Sequence, residues 1–128
     1  MKIEIDSPSS VLFQTSIHIR IDDINYGNHL SNDKILAYAH ETRVQFLRQL
    51  GYTELDIGGT GIIMTESAIK YSAEGLYGQE LEVKLGVNKT SELSLDFIYL
   101  LLESQSKKEV ARVYTKIVSF DYEKKKVC

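Results

Sequence analysis

The run Asp22-Asp23-Ile24-Asn25-Tyr26-Gly27-Asn28-His29-Leu30-Ser31-Asn32 gathers carboxylates, side-chain amides and an imidazole just ahead of a helix-forming segment. A carboxylate or imidazole in such a loop can act as general base or nucleophile on an acyl group. The free N–H groups of the helix it feeds can hold a developing oxyanion. A plainer reading also accounts for these residue types. Asp and Asn cap helices, Gly27 makes a bend, and His29 is then an ordinary loop residue.

The elements around this loop follow from hydrophobic periodicity. Residues 11–21 alternate, with Val11, Phe13, Thr15, Ile17, Ile19 and Ile21 on one side, which predicts a half-buried strand. That strand leaves His18 on its polar, solvent-facing side. Beyond the loop, Ile35, Ala39, Thr42, Phe46 and Leu50 recur at steps of three and four. This spacing predicts a helix over 32–50, about five turns long. Ser31 or Asn32 can cap it, Asp33 suits the positive end of its dipole, and Gly51 suits the position past its end. His40 falls beside Leu36, Arg43 and Leu47, as a packed or partly exposed side chain.

Residues 61–71, 79–89, 93–102 and 110–120 read as strands, and the short polar separators at 88–92 and 104–108 predict antiparallel hairpins. Alternation places Glu66 with Ile62 and Met64, opposite Ile63 and Ile69. One strand, one long helix and four further strands predict an α+β layer structure, a curved antiparallel sheet carrying the helix on one face. The apolar run Ile98–Leu102 loads both faces of its strand. A second copy of the chain covering the other face, most simply a twofold dimer, is the expected solution.

Composition removes several classes. A chain of 128 residues with 43% hydrophobic and 26% charged residues predicts one globular domain over 1–128. A net charge of −3 argues against charge-driven binding of nucleic acid. The one cysteine, Cys128, leaves no disulfide framework or cysteine-based zinc site, and the three histidines are too far apart in sequence to suggest a metal site. No apolar run is long enough to span a membrane. The acidic residues in Met1-Lys-Ile-Glu-Ile-Asp6 do not resemble a signal peptide, so a cytoplasmic location is expected. Gly58-Gly59-Thr60-Gly61 lacks the lysine and the following helix of a phosphate-binding loop; it reads as a flexible turn, a candidate border of a ligand tunnel.

Taken together, Asp23-Ile-Asn25, Asn28-His29-Leu30-Ser31-Asn32 and, on the helix, Tyr38, Glu41 and Arg43 resemble the hotdog-fold acyl-CoA thioesterases, in particular the 4-hydroxybenzoyl-CoA thioesterase-like branch. The order of elements is similar across nearly the whole chain, as is the later stretch from Lys70-Tyr71 through Tyr77-Gly78 to Leu81-Glu82-Val83. The resemblance implies a five-stranded antiparallel sheet wrapped around one long central helix, assembled as a homodimer or homotetramer. It implies hydrolysis of an acyl-CoA thioester to free acid and CoA, with no cofactor beyond the CoA of the substrate. In that branch the second acid of an Asp-x-Asp pair is catalytic. Here that position is Asn25, which can neither attack nor take a proton. The form Asp-x-Asn followed by His is similar to the plant acyl-carrier-protein thioesterases. By that comparison Asp23, Asn25 and His29 orient and activate water, and the backbone amide near Asn32 polarises the thioester carbonyl. Glu66 is a candidate carboxylate supplied across a dimer interface, and Gly59, Gly61 and Lys107 are candidate contacts to CoA. Two other functions stay open. A catalytically silent acyl-CoA or acyl-carrier binding protein would suit Asn25. A hotdog dehydratase or hydratase would carry a Phe-Pro after its histidine, and Pro8 is the chain's one proline.

Overall fold

The computed structural model describes residues 3–57, 59–89, 92, 94–121 and 123–127. Gly58 of the glycine-rich turn, Thr90, Ser91 and Leu93 of the 88–93 region, and Cys128 lie outside the described residues. The first alternating segment forms β1 (Phe13–His18), which ends where Ile19 turns into the core and the chain enters a short 3-10 turn at Ile21–Asp23. Then come α1 (Asn32–Gln49), β2 (Gly61–Tyr71), β3 (Glu80–Lys89), β4 (Ser94–Glu103) and β5 (Glu109–Asp121). A two-residue strand, β6 (Lys126–Val127), pairs with the end of β5.

The sheet runs β1-β3-β4-β5-β2 and every pairing is antiparallel. This is the hotdog arrangement expected from the sequence. Alternation dictates the layers. Leu81, Val83 and Leu85 of β3, Phe97, Tyr99 and Leu101 of β4, and Val113 and Ile117 of β5 turn to one face and are buried. Against them α1 lays Ile35, Tyr38 and Ala39. Each such side chain contributes roughly 1.5–3 kcal/mol by leaving water. An aromatic chain crosses this layer, Phe13 to Phe46 at 5.7 Å and Phe46 to Phe97 at 6.3 Å between ring centroids.

The other face carries a strap from the chain itself. The Arg112 guanidinium donates to the Ile5 carbonyl (2.7 Å) and the Ser9 hydroxyl to Asn88 (3.1 Å), while Pro8 lies on Gly86. Ile98, opposite Gly86 in the register, is thereby buried. Part of the covering expected from a second copy is thus intramolecular.

The register also corrects the face assigned to Glu66. A bulge between Met64 and Glu66 inserts Thr65 without a partner. One extra residue reverses every later side chain. Glu66 therefore stands opposite Lys116 on the strap face, away from Met64, and Ile69 joins the core side opposite Val113.

Gly86 is needed because a Cβ there would stand 2.2 Å from Pro8 Cβ and 2.5 Å from the Ser10 carbonyl oxygen. Gly86→Val should push the strap off the sheet. Hydrogen exchange should show residues 3–10 losing protection, with the unfolding free energy falling by about 1–3 kcal/mol. Unchanged protection would contradict this seating.

Candidate active site

The loop between β1 and α1 is built around a carboxylate pulled inside. Asp23 is 1% exposed. Its Oδ2 accepts the Tyr38 hydroxyl (2.5 Å) and the Arg20 backbone N–H (3.1 Å), with the Arg20 and Lys34 cations each 3.7 Å from the carboxylate. Burial alone would raise its pKa. The hydrogen bonds from Tyr38 and Arg20, and then the two cations, outweigh it and hold the carboxyl below its usual range. Tyr38 moves the opposite way, pushed up by burial and by its bond to Asp23. The Asp23 carbonyl meanwhile accepts the Ser31 amide at 2.8 Å, which ties the far end of the loop to the same residue.

Between these ties the chain bulges outward. The exposed Asn25 turns its Oδ1 back onto the Gly27 and His29 amides (2.9 and 3.3 Å), an Asx turn that sets the loop's shape. His29 is half-buried and pairs through Nε2 with Glu74 at 3.2 Å. Glu74 comes from the crossover between β2 and β3. It is brought here because the Leu30 amide donates to the Gly75 carbonyl (2.7 Å) and His29 bridges to Leu76. A side chain at Gly75 would stand 2.8 Å from Ile19 and 3.0 Å from Leu30, so this close crossing requires glycine. Sequence reasoning missed Glu74, a carboxylate inside what read as a turn.

α1 begins directly after this loop. Ser31 is its N-cap residue by position, but no side chain caps the helix, and the Ser31 hydroxyl instead bonds Asp33. The first amide donating back to the cap is that of Lys34, to the Ser31 carbonyl (3.0 Å). Among the described residues no backbone carbonyl accepts from the Asn32 amide, which stands at the positive end of the helix dipole, while the Asp33 carboxylate turns onto the Asp33 and Lys34 amides.

From there a groove of about 310 Å³ runs between α1 and β2, lined by Asp33, Leu36, Ala37, His40, Arg43 and Met64. Its far end is polar. Glu54 accepts His40 Nε2 (2.8 Å) on one oxygen and Arg43 Nε (2.6 Å) on the other, and Arg43 also donates to the Tyr99 hydroxyl (3.2 Å). Burial raises the pKa of Glu54 less than Arg43 and His40 lower it, so its net shift is downward.

The remaining candidates are dispersed. Glu66 accepts the Tyr114 hydroxyl (3.2 Å) on the strap face. Gly59, with φ +99°, and the buried Gly61 belong to the segment after Glu54, near the polar end of the groove rather than the His29 loop. Lys107 is held by Glu82 at 3.0 Å. Its neighbour Lys108 instead lines a cleft of about 270 Å³ with Glu74, Leu76 and Gln79, next to His29's partner. A larger cleft of about 520 Å³ lies by His18, Tyr77, Glu80 and Glu103. Neither His29 nor the helix N-terminus lines it. Among the described residues no cluster of metal-ligating side chains forms, and no helix is long and apolar enough to cross a membrane.

One long helix laid on an antiparallel sheet of order β1-β3-β4-β5-β2 defines the hotdog fold. The chain belongs to the thioesterase-like superfamily, whose family model matches residues 19–128. No curated protein matches the sequence. The fold is that of a 1,4-dihydroxy-2-naphthoyl-CoA thioesterase from Synechocystis, at 18% identity and TM-score 0.84 over 91% of this chain and 87% of that one. It is also that of a DHNA-CoA thioesterase from Staphylococcus aureus, at 17% identity and 0.80 over 90% and 78%. A gentisyl-coenzyme A thioesterase matches at 16% identity and 0.79, over 91% and 94%.

Removing the Tyr38 hydroxyl leaves a buried carboxylate short of a donor, so Tyr38→Phe should cost about 1–3 kcal/mol in urea unfolding at neutral pH. The folded pKa of Asp23 is depressed, so its stabilisation is present above the unfolded value of about 3.9 and fades as pH falls through the folded one. The difference between wild type and variant should therefore shrink on acidification below about pH 4. A pH-independent difference would contradict an ionised Asp23.

Proposed function

We propose that the protein hydrolyses an acyl-CoA thioester to the free acid and CoA. The observation that carries this reading is the His29–Glu74 pair on the loop that runs into the start of α1, where Ser31 supplies no side-chain cap. Family membership supports the same class of chemistry. Glu74 fixes His29 through Nε2 and leaves Nδ1 to take a proton from water. The resulting hydroxide adds to the thioester carbon, and the oxyanion rests on the Asn32 amide. Collapse of that intermediate breaks the C–S bond, and the CoA thiolate recovers the proton from His29. Asn25 shapes the loop. Asp23, buried and fully bonded, positions it and does not touch water. Lys108 lies where a phosphate of CoA could be met; Lys107 is already engaged with Glu82.

The functional unit in this reading is a homodimer. β2 is paired by β5 on one side only, and Met64 on it is 45% exposed, so a second copy can complete the groove. One observation favours the silent binding module as a second reading: within the loop Asn25 spends its acceptor on backbone amides, and Asp23 is buried.

Free thiol should appear when the protein is incubated with a panel of acyl-CoAs. His29→Ala should lower kcat by about 10²–10⁴-fold, the scale of general acid–base catalysis. Glu74→Gln, which retains a hydrogen-bond acceptor, should cost less. Binding without thiol release across the whole panel would instead establish the silent module.

A further inference from the structure

The polar end of the α1–β2 groove is unused by the hydrolytic step. Asp33, Leu36, Ala37 and His40 follow one another at helical spacing along the groove. At 1.5 Å per residue, His40 lies about 10 Å along the helix axis from Asp33, which follows the Asn32 amide that faces the scissile carbonyl in the reading above. The wall between them is apolar apart from Asp33 at its mouth. An acyl group seated there would bury its middle against Leu36, Ala37 and Met64 and bring its distal end to His40.

The chemistry of that end is set by a network anchored on a buried cation, with the exposed His40 at its outer edge. Arg43, 6% exposed, is bonded to Glu54 and to Tyr99. Burying a guanidinium is costly unless its partners are well placed, and here they fix the Glu54 carboxylate. The other Glu54 oxygen faces His40 Nε2, and a carboxylate can only accept. In the neutral imidazole His40 therefore carries its proton on Nε2, and Nδ1 presents a lone pair. A lone pair selects a ligand that donates.

Resting on the thioesterase reading, we propose that His40 is the residue that selects the acyl group, accepting a hydrogen bond from a hydroxyl at the end of an acyl chain about 10 Å long. Glu54 and Arg43 act through it as positioning residues. A benzoyl group is short for this span, and a 3-arylpropanoyl group with a para hydroxyl reaches it.

Binding tests this separately from hydrolysis. CoA thioether ketones, in which a methylene group separates the carbonyl from sulfur, cannot be cleaved. Three would be titrated by calorimetry, carrying 3-phenylpropanoyl, 3-(4-hydroxyphenyl)propanoyl and 3-(4-methoxyphenyl)propanoyl groups. Wild type should bind the hydroxyl compound about threefold tighter than the other two, the scale of one partly exposed hydrogen bond. In His40→Phe the three should bind alike. His40→Gln, which restores an acceptor, should recover part of the preference. Equal binding of hydroxyl and methoxy compounds by wild type, a preference surviving in His40→Phe, or no binding of any of the three would overturn the proposal. These outcomes are independent of whether thiol is released from thioesters, which tests the hydrolytic reading alone.

Discussion

The ionised Asp23 carboxylate is the constraint on which the site's geometry depends. A charge withdrawn from water costs several kcal/mol unless donors surround it. The donors here come from three places: the chain leaving β1 at Arg20, the first turn of α1 at Lys34, and the next turn at Tyr38. Satisfying one charge therefore docks the strand end and the helix start onto each other. Because the Asp23 carbonyl also receives the Ser31 amide, the loop returns to the point it left. Asn25 to His29 then have nowhere to go but outward.

A second buried charge, Arg43, plays the corresponding part further along α1. Asp23 secures the N-terminal end of the helix to the reactive loop, and Arg43 secures the next stretch to Glu54 and the sheet through Tyr99. The groove lies between these two fixed points. Polar groups buried inside an apolar layer contribute less net stability than hydrophobic residues of the same volume would. What they supply is position: the Asn32 amide and His29 at one end, an imidazole of defined tautomer at the other. The packed layer of Leu81, Val83, Leu85, Tyr99, Leu101 and Val113 keeps the platform stiff between them.

Much of this was legible in the sequence, for local reasons. The alternation in β3 and the three-and-four spacing in α1 are properties of neighbouring residues, and both elements formed close to where the period put them. The Asp22–Asn32 loop stood out by residue type; periodicity pointed to an α+β sheet carrying one helix, and the hotdog arrangement was what the family resemblance of that loop and of the element order implied. What escaped depended on pairings between distant residues. The bulge at Thr65 is invisible to a period of two, and it carried Glu66 to the opposite face. Glu74 reaches His29 because the β2–β3 crossover passes under Leu30, which no local pattern encodes. The strap over Gly86 likewise required knowing which strand Pro8 would meet. Asp23 was legible as a member of the loop, but its inward direction was not, since burial is settled by Tyr38 fifteen residues later.

The central claim is that a thioester carbonyl lies at the open start of α1, beside His29. Titration of the isotopically labelled protein with an uncleavable CoA thioether ketone, followed by amide and imidazole NMR, tests it most directly. The account predicts that the largest shifts fall on the Asn32 amide and on the His29 ring, with Lys108 and Leu76 responding to the CoA portion. Shifts centred instead on the cleft by His18, Tyr77 and Glu103, with Asn32 unmoved, would contradict it.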